Sequence, residues 1–285
     1  MKKVLILGAT GMAGHIVYFY LKSLNKYDIV NIVYRSKISE DSIVLNITDQ
    51  ESLYEIFCSV RPDYIINCIG ILIYGSRDRV DNAIYVNSYF PHFLEKISDE
   101  LDSRLIHIST DCVFSGNRGA YQEGDFRDAN DVYGRTKALG EIINERDITI
   151  RTSIIGPELK ENGEGLFHWF MSQQGEINGY TKAFWSGVTT LELAKAIVFV
   201  IENDISGLVQ LTNGIKISKY ELLCLFKEFW NRTDIEIKKC DDKHVDKSLC
   251  RSSKISYKVP DYNVMLKELY TWMQEHSSLY QQYFS

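Results

Sequence analysis

The chain has 285 residues, 45% hydrophobic and 25% charged, with a formal net charge of −6. That composition belongs to a globular protein long enough to bury a core unaided, as one large α/β domain or two smaller ones. Mild acidity argues against nucleic acid or an anionic membrane as partner, and no apolar run approaches the roughly 20 residues that span a bilayer.

Met1-Lys2-Lys3 ahead of an apolar run has the outline of a targeting segment. The run is too short, however, and glycines follow at once, so Val4–Leu7 reads as a strand buried on both faces. It feeds Gly8-Ala9-Thr10-Gly11-Met12-Ala13-Gly14 and then an apolar helix through Leu24. In this G-x-x-G-x-x-G spacing, Gly8 permits the tight turn and Gly11 lets a diphosphate approach the backbone. Gly14 allows close helix–strand contact, and the helix N-terminus supplies N–H donors. Thr10, Met12 and Ala13 are candidate contacts on the same loop.

A second strand is expected from Ile29 to Tyr34. An acid for ribose hydroxyls often follows such a strand; here Arg35 and Ser36 follow, which suits a 2′-phosphate. Ser42–Leu45 is a short third strand leading to Asn46 and Ile47, and Thr48-x-x-Glu51 reads as a capping box. Tyr64–Cys68 is a fourth strand, with Cys68, Ile69 and Gly70 where backbone could face a cofactor. The sequence predicts one helix from about Val80 to Ser98, then a fifth strand, Leu105–Ser109, that presents Thr110 at its carboxyl end. His107 lies inside that strand and reads as a core residue. The loop 112–131, rich in Gly, Asp and Asn, has the character of a lid or specificity loop.

Asp131-Val132-Tyr133-Gly134-Arg135-Thr136-Lys137 opens the next helix, expected to run to about Asn144. Tyr133 and Lys137 are four apart and share a helix face. An ammonium beside a phenol favours the phenolate and lowers the tyrosine pKa, giving a proton donor that works near neutrality. Thr110 can bond the same substrate oxygen. Alone, Tyr-x-x-x-Lys is a common surface pair; the phosphate loop earlier in the chain gives it weight.

Thr149–Thr152 is a sixth strand, and after Gly156-Pro157 the βα rhythm ends. Leu166–Met171 reads as a core helix. Thr189-x-x-Glu192 caps a helix to about Ile201, 207–211 returns to the sheet, and Ser218-x-x-Glu221 caps a helix from Tyr220 to Trp230. A last helix follows Pro260. The expected division is a dinucleotide-binding domain over 1–155, with 187–212 returning to it, and a substrate-binding lobe over 156–186 and 213–285. The six scattered cysteines lack a C-x-x-C pair, which points to reduced thiols and a cytoplasmic setting. The six histidines form no metal-ligand spacing, so no metal is expected.

These residues together resemble the extended short-chain dehydrogenase/reductases, most closely the dTDP-4-dehydrorhamnose reductase branch. The resemblance rests on Gly8 to Gly14, Asn67 to Gly70, Val86-Asn87 with Pro91, and Ser109-Thr110-Asp111-Cys112-Val113-Phe114-Ser115-Gly116. Tyr121-x-Glu123, Val132-Tyr133-Gly134-x-x-Lys137 with Gly140-Glu141, and Arg151-Thr152-Ser153 extend it. It implies a Rossmann-type doubly wound parallel sheet with a smaller C-terminal substrate lobe. It also implies hydride transfer from NADPH, with NADH as the other cofactor, to the C4 ketone of a nucleotide-linked 4-keto-6-deoxy sugar. Such an enzyme serves cell-surface polysaccharide synthesis, and a homodimer is compatible with it.

Tyr133 is then the proton donor, Lys137 its activator and ribose contact, and Thr110 the clamp on the substrate oxygen. Asn87, Asp111, Cys112, Val113, Ile154 and Lys247 are the implied sugar and diphosphate contacts. Cys112 and Ile154 stand where the rhamnose reductases usually carry tyrosine and tryptophan. The stretches Ile217–Leu223 and Asp246–Leu249 resemble a sub-branch acting on UDP-linked N-acetylated sugars, so both nucleotides remain open. Two rival readings also stand. One is a sugar-nucleotide epimerase or dehydratase with bound NAD. The other is a non-catalytic NADP-binding subunit like the regulatory subunit of methionine adenosyltransferase.

Overall fold

The computed structural model describes residues 1–284. The first half supplies strands β1 (Lys2–Leu7), β2 (Tyr27–Val33), β3 (Ile43–Val44), β4 (Tyr64–Asn67), β5 (Arg104–Thr110), β6 (Ile148–Thr152) and β7 (Ile154–Ile155). Its helices are α1 (Met12–Ser23), α2 (Gln50–Val60), α3 (Ile73–Asp78), α4 (Val80–Ile84), α5 (Phe90–Glu100) and α6 (Val132–Leu139). The second half adds α7 (Leu166–Met171), β8 (Gly175–Tyr180), β9 (Ala183–Trp185), β10 (Val188–Thr189) and α8 (Thr190–Asn203). It continues with β11 (Gly207–Gln210), β12 (Ile217–Ser218), α9 (Lys219–Phe229), β13 (Ile235–Cys240), β14 (Val245–Asp246) and α10 (Tyr262–Glu275).

Seven strands form one parallel sheet in the order β11-β6-β5-β4-β1-β2-β3. The strand order reverses between β1 and β4, and open α/β sheets bind ligands in the crevice at such a point. Val4 to Leu7 are fully buried because helices cover both faces. Ile16, Val17 and Leu21 of α1 share one core with Leu193, Ala194 and Ile197 of α8, while Leu53, Phe57, Phe90 and Leu94 fill the other face. The apolar continuity of β1 is the sequence trace of that double burial.

Several expectations need correction. The cap of α2 is Asp49, not Thr48: its carboxylate accepts from Ser52 N at 3.2 Å and Ser52 Oγ at 2.8 Å. Asn46 folds a turn over Thr48 and Asp49, which shifts the helix start by one residue. The single helix over 80–98 is interrupted by a π-helical turn at Tyr85–Tyr89, a local widening that recurs at functional sites. Asn87 sits within this turn. The Tyr133 helix ends at Leu139 rather than Asn144. Gly140 there passes so close to the Asn87 carbonyl that a Cβ would lie 1.9 Å from its oxygen. The loop 112–131 is tied to the residues around β14. Gly116 O accepts Asp246 N at 2.7 Å, Tyr121 exchanges two backbone bonds with Ser248 and Cys250, and the Phe114 and Tyr121 rings stack at 4.1 Å.

The parallel pair β8–β13 and the three-stranded sheet β12-β9-β14 were not expected. Both Thr189 and Ser218 cap their helices as read, Ser218 in a complete capping box with Glu221. All six cysteines are free thiols. Among the described residues, no helix is long and apolar enough to cross a membrane.

Candidate active site

The glycine loop sits at the carboxyl end of β1. Gly8 has φ +79°, and a Cβ there would lie 2.8 Å from Ile69 Cγ1, so the turn both needs glycine and abuts the segment after β4. A Cβ on Gly14 would lie 2.1 Å from Gly8 O. Gly11 is the N-cap of α1 and brings no side-chain cap, so the first-turn amides of Met12 and Ala13 are offered outward. This cradle of close backbone and uncapped amides fits a diphosphate. Thr10 lies on the same turn, half-buried.

Around the cradle, Arg35 stands exposed just past β2, its guanidinium 4.8 Å from the Tyr34 ring centre. Asn46 and Ile47 follow β3, and Ile47 O accepts the Tyr85 hydroxyl at 3.0 Å. Cys68, Ile69 and Gly70 follow β4. Burial pushes the Cys68 thiol up to about 12, opposed by the charge of Lys137, so this segment runs beside the lysine.

β5 delivers Thr110 at its carboxyl end, and Asp111–Val113 turns at once into a 3-10 helix. Thr110 Oγ1 accepts Cys112 N and donates to Asp111 Oδ1, both at 3.1 Å. α6, capped by Asp131, carries Tyr133 and Lys137 on one face. Gly134 permits the approach of α6 to this turn, since a Cβ would lie 2.2 Å from Cys112 O. The Thr110 hydroxyl faces the Tyr133 phenol closely enough to stabilise its ionised form.

The electrostatics depart from expectation. Tyr133 is not made acidic by Lys137. Burial, and then the Cys112 thiol, push its pKa well above the ordinary phenol value, with Thr110 opposing. The Lys137 ammonium instead donates to Ile108 O at 2.7 Å. Burial lowers its pKa to about 8, while Glu141 and Cys68 work to raise it. Glu141 is itself buried, holding Ser109 Oγ at 2.7 Å and Arg151 through two bonds of 2.7 and 2.8 Å. The β5 tip is thus fixed by a buried carboxylate–guanidinium pair.

The implied sugar contacts divide. Asp111 is buried, and burial raises its pKa against the pull of Lys247 and Lys219. Burial pushes Cys112 up to about 12, so it presents a neutral thiol. Ile154 is half-buried in β7, beside β10. Asn87 is fully buried, with its amide engaged by Ile71 N and O at 2.9 Å each and by Thr136 Oγ1 at 3.2 Å. It braces the segment after β4 against α6. Val113 is fully buried among Phe114, Tyr121 and Leu249, so its side chain faces the core. His107 is likewise a core residue, bonded to Asn67 at 3.2 Å and held neutral by burial.

One residue was missed. Lys219, at the first position of α9, lies 5.7 Å from the Trp185 ring centre. Burial lowers its pKa to about 8, and Asp111 and Cys112 raise it. Lys247 follows β14 and packs on Gly116; burial opposes its charge, yet Cys112, Asp111 and Asp131 hold it above its ordinary value. β12 and β14 flank β9, so one small sheet carries both lysines. A lysine at a helix N-terminus is electrostatically unfavourable, which is the one sequence signal that marks Lys219.

The family model described as "RmlD substrate binding domain" matches residues 1–283. The spore coat polysaccharide biosynthesis protein SpsK of Bacillus subtilis is 26% identical over 80% of this chain and 79% of its own length. A dTDP-4-dehydrorhamnose reductase of Aggregatibacter actinomycetemcomitans is 31% identical over 54% of this chain and 51% of its own. The crystal structure of dTDP-4-dehydrorhamnose reductase from Bacillus anthracis, solved in complex with NADP, matches with a TM-score of 0.82. It is 20% identical, and the match covers 95% of this chain and 99% of that one.

Proposed function

The chain belongs to the RmlD substrate binding domain family, and we propose that within it the chain is a nicotinamide-dependent reductase of a nucleotide-linked keto sugar. The observation that supports this reading is Thr110 at the carboxyl end of β5 beside Tyr133 of α6, with Lys137 one turn further along α6 on Ile108 O. Gly8 to Gly14, Cys68 to Gly70 and Lys137 would hold the cofactor, and Arg35 beyond β2 favours NADPH through a 2′-phosphate. When bound, the cofactor supplies a hydride.

The protein's own part is to position and to move one proton. Thr110 and Tyr133 share the substrate carbonyl oxygen, and the Tyr133 phenol gives its proton as negative charge grows there. Burial keeps that phenol protonated until the charge develops. Lys137, positive below about pH 8, would hold the nicotinamide ribose rather than tune the phenol. Lys219 and Lys247 are proposed to meet the diphosphate, a local positive pair in a chain of net charge −6.

The finer reading is a C4 ketone of a 4-keto-6-deoxy sugar carried on dTDP or UDP. Residues 1–155 and 187–212 are assigned to the cofactor half, and 156–186 and 213–285 to the substrate lobe. The neutral Cys112 thiol and Ile154 make a less aromatic sugar site than tyrosine and tryptophan would. The test is loss of NADPH or NADH absorbance with a panel of dTDP- and UDP-linked 4-keto-6-deoxy sugars. Turnover of at least one supports the reading. No turnover, together with NAD⁺ carried tightly through purification, would favour an epimerase or dehydratase.

A further inference from the structure

Beyond the trio and the glycine loop, the fold buries a histidine directly under that loop. His15, in the first turns of α1, is fully buried. Its Nδ1 lies 2.8 Å from Gly11 O, and its Nε2 lies 2.9 Å from the Tyr280 hydroxyl, 265 positions away in sequence. A carbonyl only accepts, so Nδ1 carries the proton. Nε2 then has only a lone pair, and Tyr280 must be the donor. The chain of bonds therefore runs from Tyr280 to His15 to Gly11 in one direction with a neutral ring. Burial agrees, lowering the His15 pKa to about 4.

The consequence follows from peptide geometry. The Gly11–Met12 unit is planar and trans, so its C=O and N–H point in opposite directions. The Gly11 carbonyl already accepts His15 N at 3.1 Å, and the His15 ring adds a second hold on it, so the Met12 N–H faces away from both at the uncapped start of α1. A second contact comes from the same C-terminal segment. The Tyr283 hydroxyl lies 2.6 Å from His168 Nδ1, accepts Glu158 N at 3.0 Å and lies 3.2 Å from Glu158 O. Glu158 Oε1 accepts Gly165 N at 2.7 Å, and Gly165 lies against Met12, where a Cβ would be 3.0 Å from Sδ.

We propose that residues 277–284 are a working part of the dinucleotide site, in which Tyr280 acts through His15 as a positioning latch for the diphosphate-binding amide of Met12. This rests on the reading that a nicotinamide dinucleotide occupies the glycine loop. His15 and Tyr280 are positioning residues, remote from the reacting atoms. Their signature is a loss of affinity confined to ligands that carry a diphosphate.

The test compares His15→Leu and Tyr280→Phe with the unaltered chain by calorimetric titration of three ligands. NADPH and 2′-phospho-ADP-ribose contain the diphosphate; 2′-AMP has the ribose phosphate alone. Removing a hydrogen bond of ordinary strength should weaken NADPH and 2′-phospho-ADP-ribose about three- to tenfold in His15→Leu, and less in Tyr280→Phe. Binding of 2′-AMP should change less than twofold. Unchanged dinucleotide affinity in both variants, or an equal loss for 2′-AMP, overturns the latch. Should His15→Leu not fold, Tyr280→Phe, which keeps the buried ring, decides alone. If the unaltered chain binds neither NADPH nor 2′-phospho-ADP-ribose, nor NADH and ADP-ribose in their place, the functional reading itself fails, and the latch with it.

Discussion

Replacing Glu141 by glutamine perturbs the site without touching the proposed trio. The carboxylate is fully buried and accepts from Ser109 Oγ at 2.7 Å, Arg151 Nε at 2.8 Å, Arg151 Nη2 at 2.7 Å and Arg127 Nη1 at 3.1 Å. Arg151 is 1% exposed, so its guanidinium cannot turn to water once the negative charge is gone. Glutamine keeps the volume but offers a single acceptor oxygen and points an NH₂ at existing donors. Leaving one member of a buried pair uncompensated costs about 3–5 kcal/mol. Guanidinium unfolding of Glu141→Gln should therefore show a lowered midpoint at unchanged slope. The same change removes a charge that raises the Lys137 pKa, so the basic limb of the pH–rate profile should move to lower pH. A loss below about 1 kcal/mol, well short of that range, would refute the reasoning. So would a basic limb that stays put or moves upward.

Two further outcomes follow from the same geometry. With Lys137 lowered to about 8, its ammonium is present below that pH and lost above it. The substrate kcat/KM should thus decline as pH rises through about 8, and a profile flat to well beyond that point contradicts the assignment. Lys219→Met and Lys247→Met should each raise the KM for the nucleotide sugar about tenfold, as expected for one charge-assisted bond, with NADPH affinity unchanged. A KM within twofold of the unaltered chain for both variants would remove the diphosphate role.

The parts legible in the sequence are those whose signal is local. The run from Val4 to Gly14 encodes strand, turn and helix within a dozen residues, and steric contact at Gly8 and Gly14 explains why glycine stands there. The Tyr133–Lys137 spacing likewise survives because α6 keeps both on one face. What was illegible depends on distant partners. Within the π-helical turn at Tyr85–Tyr89, Asn87 bonds Ile71 and Thr136, partners on other elements. The end of α6 at Leu139 did have a local mark, since Gly140 is its C-cap, and the contact with the Asn87 carbonyl explains why that position is glycine. Lys219 joins the site only through the pairing of β12, β9 and β14, strands too short to announce themselves. The Tyr280–His15 bond spans 265 positions, and no periodicity points to it. The direction of the Tyr133 shift was misjudged for a related reason: spacing places an ammonium near a phenol, but burial of both decides their pKa values.

Whether Tyr133 is the proton donor is decided by following NADPH oxidation with an accepted dTDP- or UDP-linked 4-keto-6-deoxy sugar in the unaltered chain and in Tyr133→Phe. If it is, the variant still binds NADPH but turns over roughly 10²–10⁴-fold more slowly, the usual consequence of removing a positioned proton donor. Full turnover by Tyr133→Phe would contradict it.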